Sequence, residues 1–327
     1  MTYNNIYRFA YVSSILLGIS ILYRKYQEKN ERQDSSNDNK IIQQYLLNEN
    51  TLEKSKKPVI WIHLPYEVNA REWESFESRN TSNLNAPYMH LTIKSIIQHC
   101  KSSFHICIID DDSFETLLPS WNIRIQDTSG PIKTNIRSLG LYKILQKYGG
   151  LLLPPSFLCM KNLKTVYNEG LNIHDMFSFE IPATNSASSL VNSFPSKSLI
   201  GCKKNCTAIN NLVQFTENVI SQDNSNESLF HDNISRCIFE LHLQEKVRLI
   251  DGSKIGLFDK NGNNIEICDL LAMQEIQFVN NLCGIYIKHE EIVKKLDLQW
   301  FLRLSIDDII ESNMVISEYI VESIATV

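Results

Sequence analysis

The stretch Tyr148-Gly149-Gly150-Leu151-Leu152-Leu153-Pro154-Pro155-Ser156 restricts this chain's fold more than any other. Ahead of it, residues 134–148 place Ile136, Leu139, Ile144, Leu145 and Tyr148 on or near one face at three- and four-residue spacing, which predicts a helix. Gly149 suits the position just past a helix end, since it adopts the left-handed conformation without a Cβ penalty. Three leucines then read as a short buried strand, and two prolines end its ladder by withholding backbone donors. A helix, a Gly-Gly turn and a short apolar strand that stops abruptly carry a chain to the carboxyl edge of an open α/β sheet, where ligands bind. The stretch itself holds no acidic or basic side chain, so it predicts architecture rather than chemistry.

The run Asn135-Ile136-Arg137-Ser138-Leu139-Gly140-Leu141-Tyr142-Lys143-Ile144-Leu145-Gln146-Lys147-Tyr148-Gly149-Gly150 resembles the helix and turn of glycosyltransferases with the sugar-binding Asp-x-Asp motif. These are the capsular-polysaccharide and yeast-mannosyltransferase-like enzymes, and membrane-anchored glycosyltransferase-like proteins of giant viruses are more similar still. The resemblance implies a GT-A fold: a Rossmann-like, mixed and mostly parallel sheet flanked by helices. It also implies a nucleotide-sugar donor held through Mn²⁺ or Mg²⁺ by two carboxylates after the Gly-Gly strand. Here those positions are Pro154, Pro155 and Ser156, and the Asp and Arg of the family's helix fall on Ser138 and Leu141. A histidine near the family's C-terminal end also serves the metal, and its nearest echo is Gln299-Trp300. The expectation is a scaffold without a resident metal, one that would need Mn²⁺ or Mg²⁺ only if it transferred sugar.

A length of 327 residues allows one large domain or two small ones. A net charge of −5 offers no basic face for nucleic acid. The eight cysteines stand singly apart from Cys202 and Cys206 and show no zinc-ligand spacing, so they read as ordinary thiols.

Residues 9–23 form an unbroken apolar or small-residue run, with Arg8 before it and Arg24-Lys25 after. A cleaved signal peptide and a core helix are the alternatives to a membrane span over about 8–23. The missing small-residue cleavage site and the polar stretch that follows favour an N-terminal membrane-anchor helix within residues 1–29. Residues 30–57 read as a polar stem and 58–327 as the glycosyltransferase-like domain. Basic residues after the span place the bulk of the chain in the cytoplasm, whereas sequons at Asn80, Asn205, Asn226 and Asn233 would suit a lumenal side.

Within the domain, residues 59–64 predict a first strand ending near His63, for which a hydrogen-bonded structural role is expected. Residues 66–85 are a long loop and a candidate lid. A helix over 85–100 and a strand over 104–109 complete a β-α-β unit. That strand runs into Asp110-Asp111-Asp112, the strongest chemical feature of the chain. Asp110 and Asp112 could share a hard cation, or Asp112 with Ser113 could cap a short helix over 114–118. A third strand is expected over 121–125. Lys133, Asn135 and Arg137 lie near the start of the central helix, where they would offer donors to a phosphate. The candidate catalytic residues are therefore Asp110, Asp112 and Arg137. The candidate nucleotide-binding residues add Asp111, Lys133, Asn135, Gly149, Gly150, Pro154 and Ser156. Beyond the prolines the sequence predicts strands over 157–160, 176–180 and 198–202, a polar loop over 183–197, and helices over 206–221, 227–245, 289–296 and 305–324. Turns are expected at Asp251-Gly252 and Asn261-Gly262.

Three functions follow: a non-catalytic nucleotide-sugar or glycan-binding module at a membrane, an active membrane-anchored sugar transferase, or a membrane-tethered structural protein.

Overall fold

The computed structural model describes residues 57–65, 86–128, 130–183, 193–222 and 227–325, with the side chains of 227–232 left aside. The expected anchor, almost all of the stem and the candidate lid lie outside these residues. Among the described residues no helix is long and apolar enough to cross a membrane.

β1 (Val59–His63) and β2 (His105–Ile109) pair in parallel from Val59↔His105 to His63↔Ile109, and α1 (Tyr88–Cys100) lies between them in sequence. α2 (Ser113–Leu117) follows, then an irregular segment and one 3-10 turn over Ile125–Asp127. The strand expected over 121–125 is absent. Its apolar residues are instead buried by helical neighbours: Trp121 packs against Phe114 at 5.3 Å, and both share a core with Ile125.

α3 (Gly130–Tyr148) starts four residues earlier than expected. Pro131 falls in its first turn, where the missing N–H has no intrahelical partner to lose. Gly149 ends the helix at φ +68°, and its N–H donates to the Leu145 carbonyl at 2.8 Å. β3 (Gly150–Leu153) then runs beside β1, with Ile60↔Leu151 and Ile62↔Leu153. Its four residues are all buried, as the leucine run predicts.

β4 (Phe157–Cys159) leaves the main sheet and pairs antiparallel with β8 (Gly284–Tyr286). α4 (Lys164–Gly170), β5 (Met176–Pro182), β6 (Ser193–Cys202), α5 (Thr207–Ser221), α6 (Glu227–Leu243) and β7 (Arg248–Ile250) follow. β6 starts within the expected polar loop, because buried Ser178 donates to the Ser196 carbonyl at 2.7 Å and the strand's hydroxyls are satisfied inside the sheet. An antiparallel bridge, Phe258↔Asn264, closes the turn at Asn261-Gly262, whereas Asp251 caps a 3-10 turn over Gly252–Ile255.

The C-terminal part adds α7 (Ile267–Leu271), α8 (His289–Lys294), a 3-10 turn over Gln299–Arg303, α9 (Ile306–Glu311) and α10 (Val315–Ala325). Ser305 and Asp308 form the expected capping box, but the single helix expected after them is two. Ser312 breaks it by turning its hydroxyl onto the Ile309 carbonyl and Ser317.

The main sheet has the order β2-β1-β3-β6-β5-β7, and only β6 runs against the rest. It is a mixed, mostly parallel α/β sheet flanked by helices, with five strands ending on one edge. One core joins the sheet to α2, α3, α5 and α6. A second joins the start of α1 to the small sheet and the C-terminal helices.

Candidate functional site

β1, β2 and β3 all deliver polar residues to the carboxyl edge. After β2 the three aspartates part company. Asp110 turns back: its Oδ1 accepts from the Ser113 N–H at 2.9 Å and from the Ser113 hydroxyl at 2.6 Å, while its own N–H donates to Ser113 Oγ at 3.1 Å. Asp112 holds the expected N-cap position of α2 but makes no side-chain cap bond; Asp110, two residues earlier, supplies the carboxylate that accepts the Ser113 N–H. Asp112 is exposed and accepts from Gln126 Nε2 at 2.9 Å.

The turn held by Asp110 and Ser113 leaves Asp111 between β1 and α3. His63 Nε2 lies 2.9 Å from Asp111 Oδ1, and Arg137 grips both oxygens, Nε at 2.9 Å from Oδ1 and Nη2 at 2.7 Å from Oδ2. The side chains of His63, Asp111 and Arg137 are 9%, 18% and 13% exposed. Burial pushes the Asp111 carboxyl up, but the hydrogen bonds and charges of His63 and Arg137 outweigh it and hold the group well below the usual carboxylate range. The fork suits a planar guanidinium on a carboxylate. Phe114 stacks on the His63 ring at 5.4 Å, and α3 approaches so closely that a Cβ on Gly140 would meet the Phe114 ring at 2.8 Å.

A second group sits where β3 ends. Pro154 closes a turn by accepting from the Phe157 N–H at 3.1 Å, and the Pro155 carbonyl accepts from the Thr92 hydroxyl of α1. Ser156 is 2% exposed; its side chain lies near the Tyr88 hydroxyl, and its carbonyl accepts from the Ile287 N–H at 3.2 Å. The Tyr88 hydroxyl also meets His289 Nδ1 at 2.9 Å. Burial, with the neighbouring Tyr286, pushes the Tyr88 hydroxyl well up, and burial pushes His289 down despite Glu290. Both therefore stay neutral at pH 7. Lys197 of β6 lies beyond the end of β3, its Nζ 3.9 Å from Glu290.

The groups that meet Tyr88 and Ser156 are hydroxyls and one imidazole, and the neighbouring carboxylate of Glu290 faces Lys197 at 3.9 Å, a set that does not fit a hard divalent cation. Among the described residues no group of three or more His, Cys, Asp or Glu could hold a metal ion.

The other expected site residues scatter. Gly149 and Gly150 lie at the start of β3, the edge opposite the aspartates. There they admit close backbone: a Cβ on Gly150 would meet the Val59 carbonyl oxygen at 2.4 Å, and the Gly149 carbonyl accepts from Trp61 Nε1 at 2.9 Å. Lys133 is half-buried near the start of α3. Asn135 is 2% exposed, and its Oδ1 finds no hydrogen-bond partner among the described residues, so it is a core position rather than an exposed phosphate donor. Gln299 donates to the Val293 carbonyl at 2.7 Å on the surface. The histidine beside Ser156 is His289, ten residues earlier. No local pairing signals it along the chain, because Tyr88 stands 201 residues away.

No family model and no curated protein matches the sequence. Among solved structures, one titled "PaToxG Glycosyltransferase" is similar over 64% of this chain and 79% of its own, at 13% identity and a TM-score of 0.33. At that score the likeness carries no argument of its own.

Proposed function

We propose that this chain is a glycosyltransferase-like module of GT-A type that binds a nucleotide sugar or glycan without metal-dependent transfer. The observation that carries the reading is Ser156. Where the resemblance calls for a cation-gripping carboxylate, this chain has a 2% exposed hydroxyl near Tyr88, whose own hydroxyl meets His289. The sheet order supports the fold half of the proposal, with five co-directional strands and an opposed β6 next to β3. His63, Asp111 and Arg137 would form the nucleoside-facing wall, held as a rigid unit at the ends of β1 and β2. The N-terminal span over 8–23 would tether the module to a membrane.

The test is a thermal-shift panel of uridine- and guanosine-diphosphate sugars with and without Mn²⁺. The reading expects at least one donor to raise the melting temperature equally in both conditions. A shift that requires Mn²⁺ and is lost in Asp112→Asn would overturn the metal-free reading. No shift with any donor or with oligosaccharides would overturn the binding reading. A second reading, metal-independent transfer, draws on Lys197 as a cation at the same edge. Monosaccharide release from a donor, lost in Lys197→Met, would favour it.

A further inference from the structure

From the geometry we infer that Cys100 and Cys159 are a disulfide-forming pair: thiol–disulfide exchange with a small disulfide such as oxidised glutathione bridges them as the chain folds.

The two sulfurs lie 3.8 Å apart in contact, both residues with 0% exposure. Bridging closes that gap to about 2 Å, a shift small beside the reach of two cysteine side chains. The backbones are already tied in register. The segment 155–159 runs along α1, with the Thr92 hydroxyl on the Pro155 carbonyl, the Cys159 N–H on the Ser95 hydroxyl at 2.9 Å, and Asn162 Nδ2 on the His99 carbonyl at 2.9 Å. The bridge would add a covalent link where hydrogen bonds already hold the two elements together.

The exchange balances in two steps. The Cys100 thiolate attacks one sulfur of oxidised glutathione and expels the first glutathione thiolate, leaving a mixed disulfide. The Cys159 thiolate then attacks the Cys100 sulfur and expels the second. One S–S bond breaks and one forms, and the protons of both cysteines end on the two glutathiones. The balance is the same whichever thiol attacks first, since both are buried once they meet and the first step belongs to the folding chain. Cys283 belongs to the same neighbourhood, since its charge acts on Cys159 and its burial pushes its own thiol up to about 12. It is the competing partner that the experiment must separate.

The bridge would lie at the far end of elements that also build the Ser156 group. α1 carries Tyr88 at its start and Cys100 at its end, and Ser156 precedes the strand that Cys159 ends. Closing it fixes the slide of α1 against the small sheet, and with it the Tyr88–Ser156 contact.

The experiment refolds the full chain from denaturant in a glutathione redox buffer, in a Cys268→Ser background that removes the exposed thiol. Non-reducing peptide mapping is expected to find Cys100 linked to Cys159, with two thiols lost. The link should vanish in Cys100→Ala and in Cys159→Ala and persist in Cys283→Ala. Oxidised protein should melt on the order of 5–10 °C above reduced protein. The reduced melting temperature of each variant reports whether it folds. A Cys159–Cys283 or Cys202–Cys206 link as the main product would overturn the assignment, as would a folded chain that retains all of its thiols under these conditions.

Discussion

At the ends of β1 and β2 a carboxylate is paired with a guanidinium and an imidazole, whereas at the end of β3, one strand over, Tyr88, Ser156 and His289 are neutral and sealed. His63, Asp111 and Arg137 share three hydrogen bonds of 2.7–2.9 Å, and the carboxylate is the hub. Tyr88, His289 and Ser156 form a chain in which no member carries charge at pH 7. The first arrangement is unforgiving, because removing one partner strands a charge away from water. The second costs little to dismantle but has nothing that grips a cation. The difference teaches that a polar cluster at a sheet's carboxyl edge is not by itself a metal site. Charge, and whether neighbours already consume it, decides the chemistry.

The largest test of this contrast is Asp111→Ala, expected to lower unfolding stability by about 3–5 kcal/mol because Arg137 and His63 lose their shared carboxylate. Equilibrium urea unfolding measures it, and a loss below about 1 kcal/mol would make the charged group no tighter than an exposed ion pair. Ser156→Asp comes next. A carboxylate placed against Tyr88 in so buried a position should cost about 2–4 kcal/mol, with no recovery on adding Mn²⁺. Recovery by Mn²⁺ in a melting experiment would break the contrast. Gly140→Ala presses a methyl onto the Phe114 ring that backs His63, and about 1–3 kcal/mol is expected. Tyr88→Phe should be the mildest, about 1 kcal/mol, since neutral hydrogen bonds contribute little net.

The two groups should also separate by pH. Asp111 titrates lower in the folded chain than in the unfolded one. Its contribution is therefore whole above about pH 4 and is lost as acid carries the pH down towards the depressed folded value. His289 is likewise depressed when folded, so the unfolded chain takes up its proton first and stability falls below about pH 6.5. Asp111→Asn should flatten the stability profile below pH 4 and leave the fall that begins below about pH 6.5. His289→Gln should do the reverse. If one substitution flattened both regions, the groups would be a single coupled unit.

Much of the scaffold was legible because its signals are local. Gly149 after an amphipathic run marks the end of α3, and three leucines between glycine and proline mark β3; both are decided by neighbouring residues. Where a segment's partners are distant, reading failed. Trp121 and Ile125 look like strand residues but are buried by Phe114 and α3. The hydroxyls of β6 look like loop until Ser178 and Ser196 are seen to pair inside the sheet. The site was half legible. The triple aspartate was visible, and so was a hydrogen-bonded place for His63. Which aspartate caps, which pairs and which faces solvent was not, since Arg137 reaches Asp111 across 26 residues.

Residue order alone set the end of α3 and both ends of β3, because backbone conformation at glycine and proline and the burial of a leucine run are properties of a few adjacent residues. It also determined that Pro154, Pro155 and Ser156 bring no charge to the edge. Which group meets them there was set by the packing of distant segments. Tyr88 and His289 come together from opposite ends of the domain, and burial of that contact keeps both neutral.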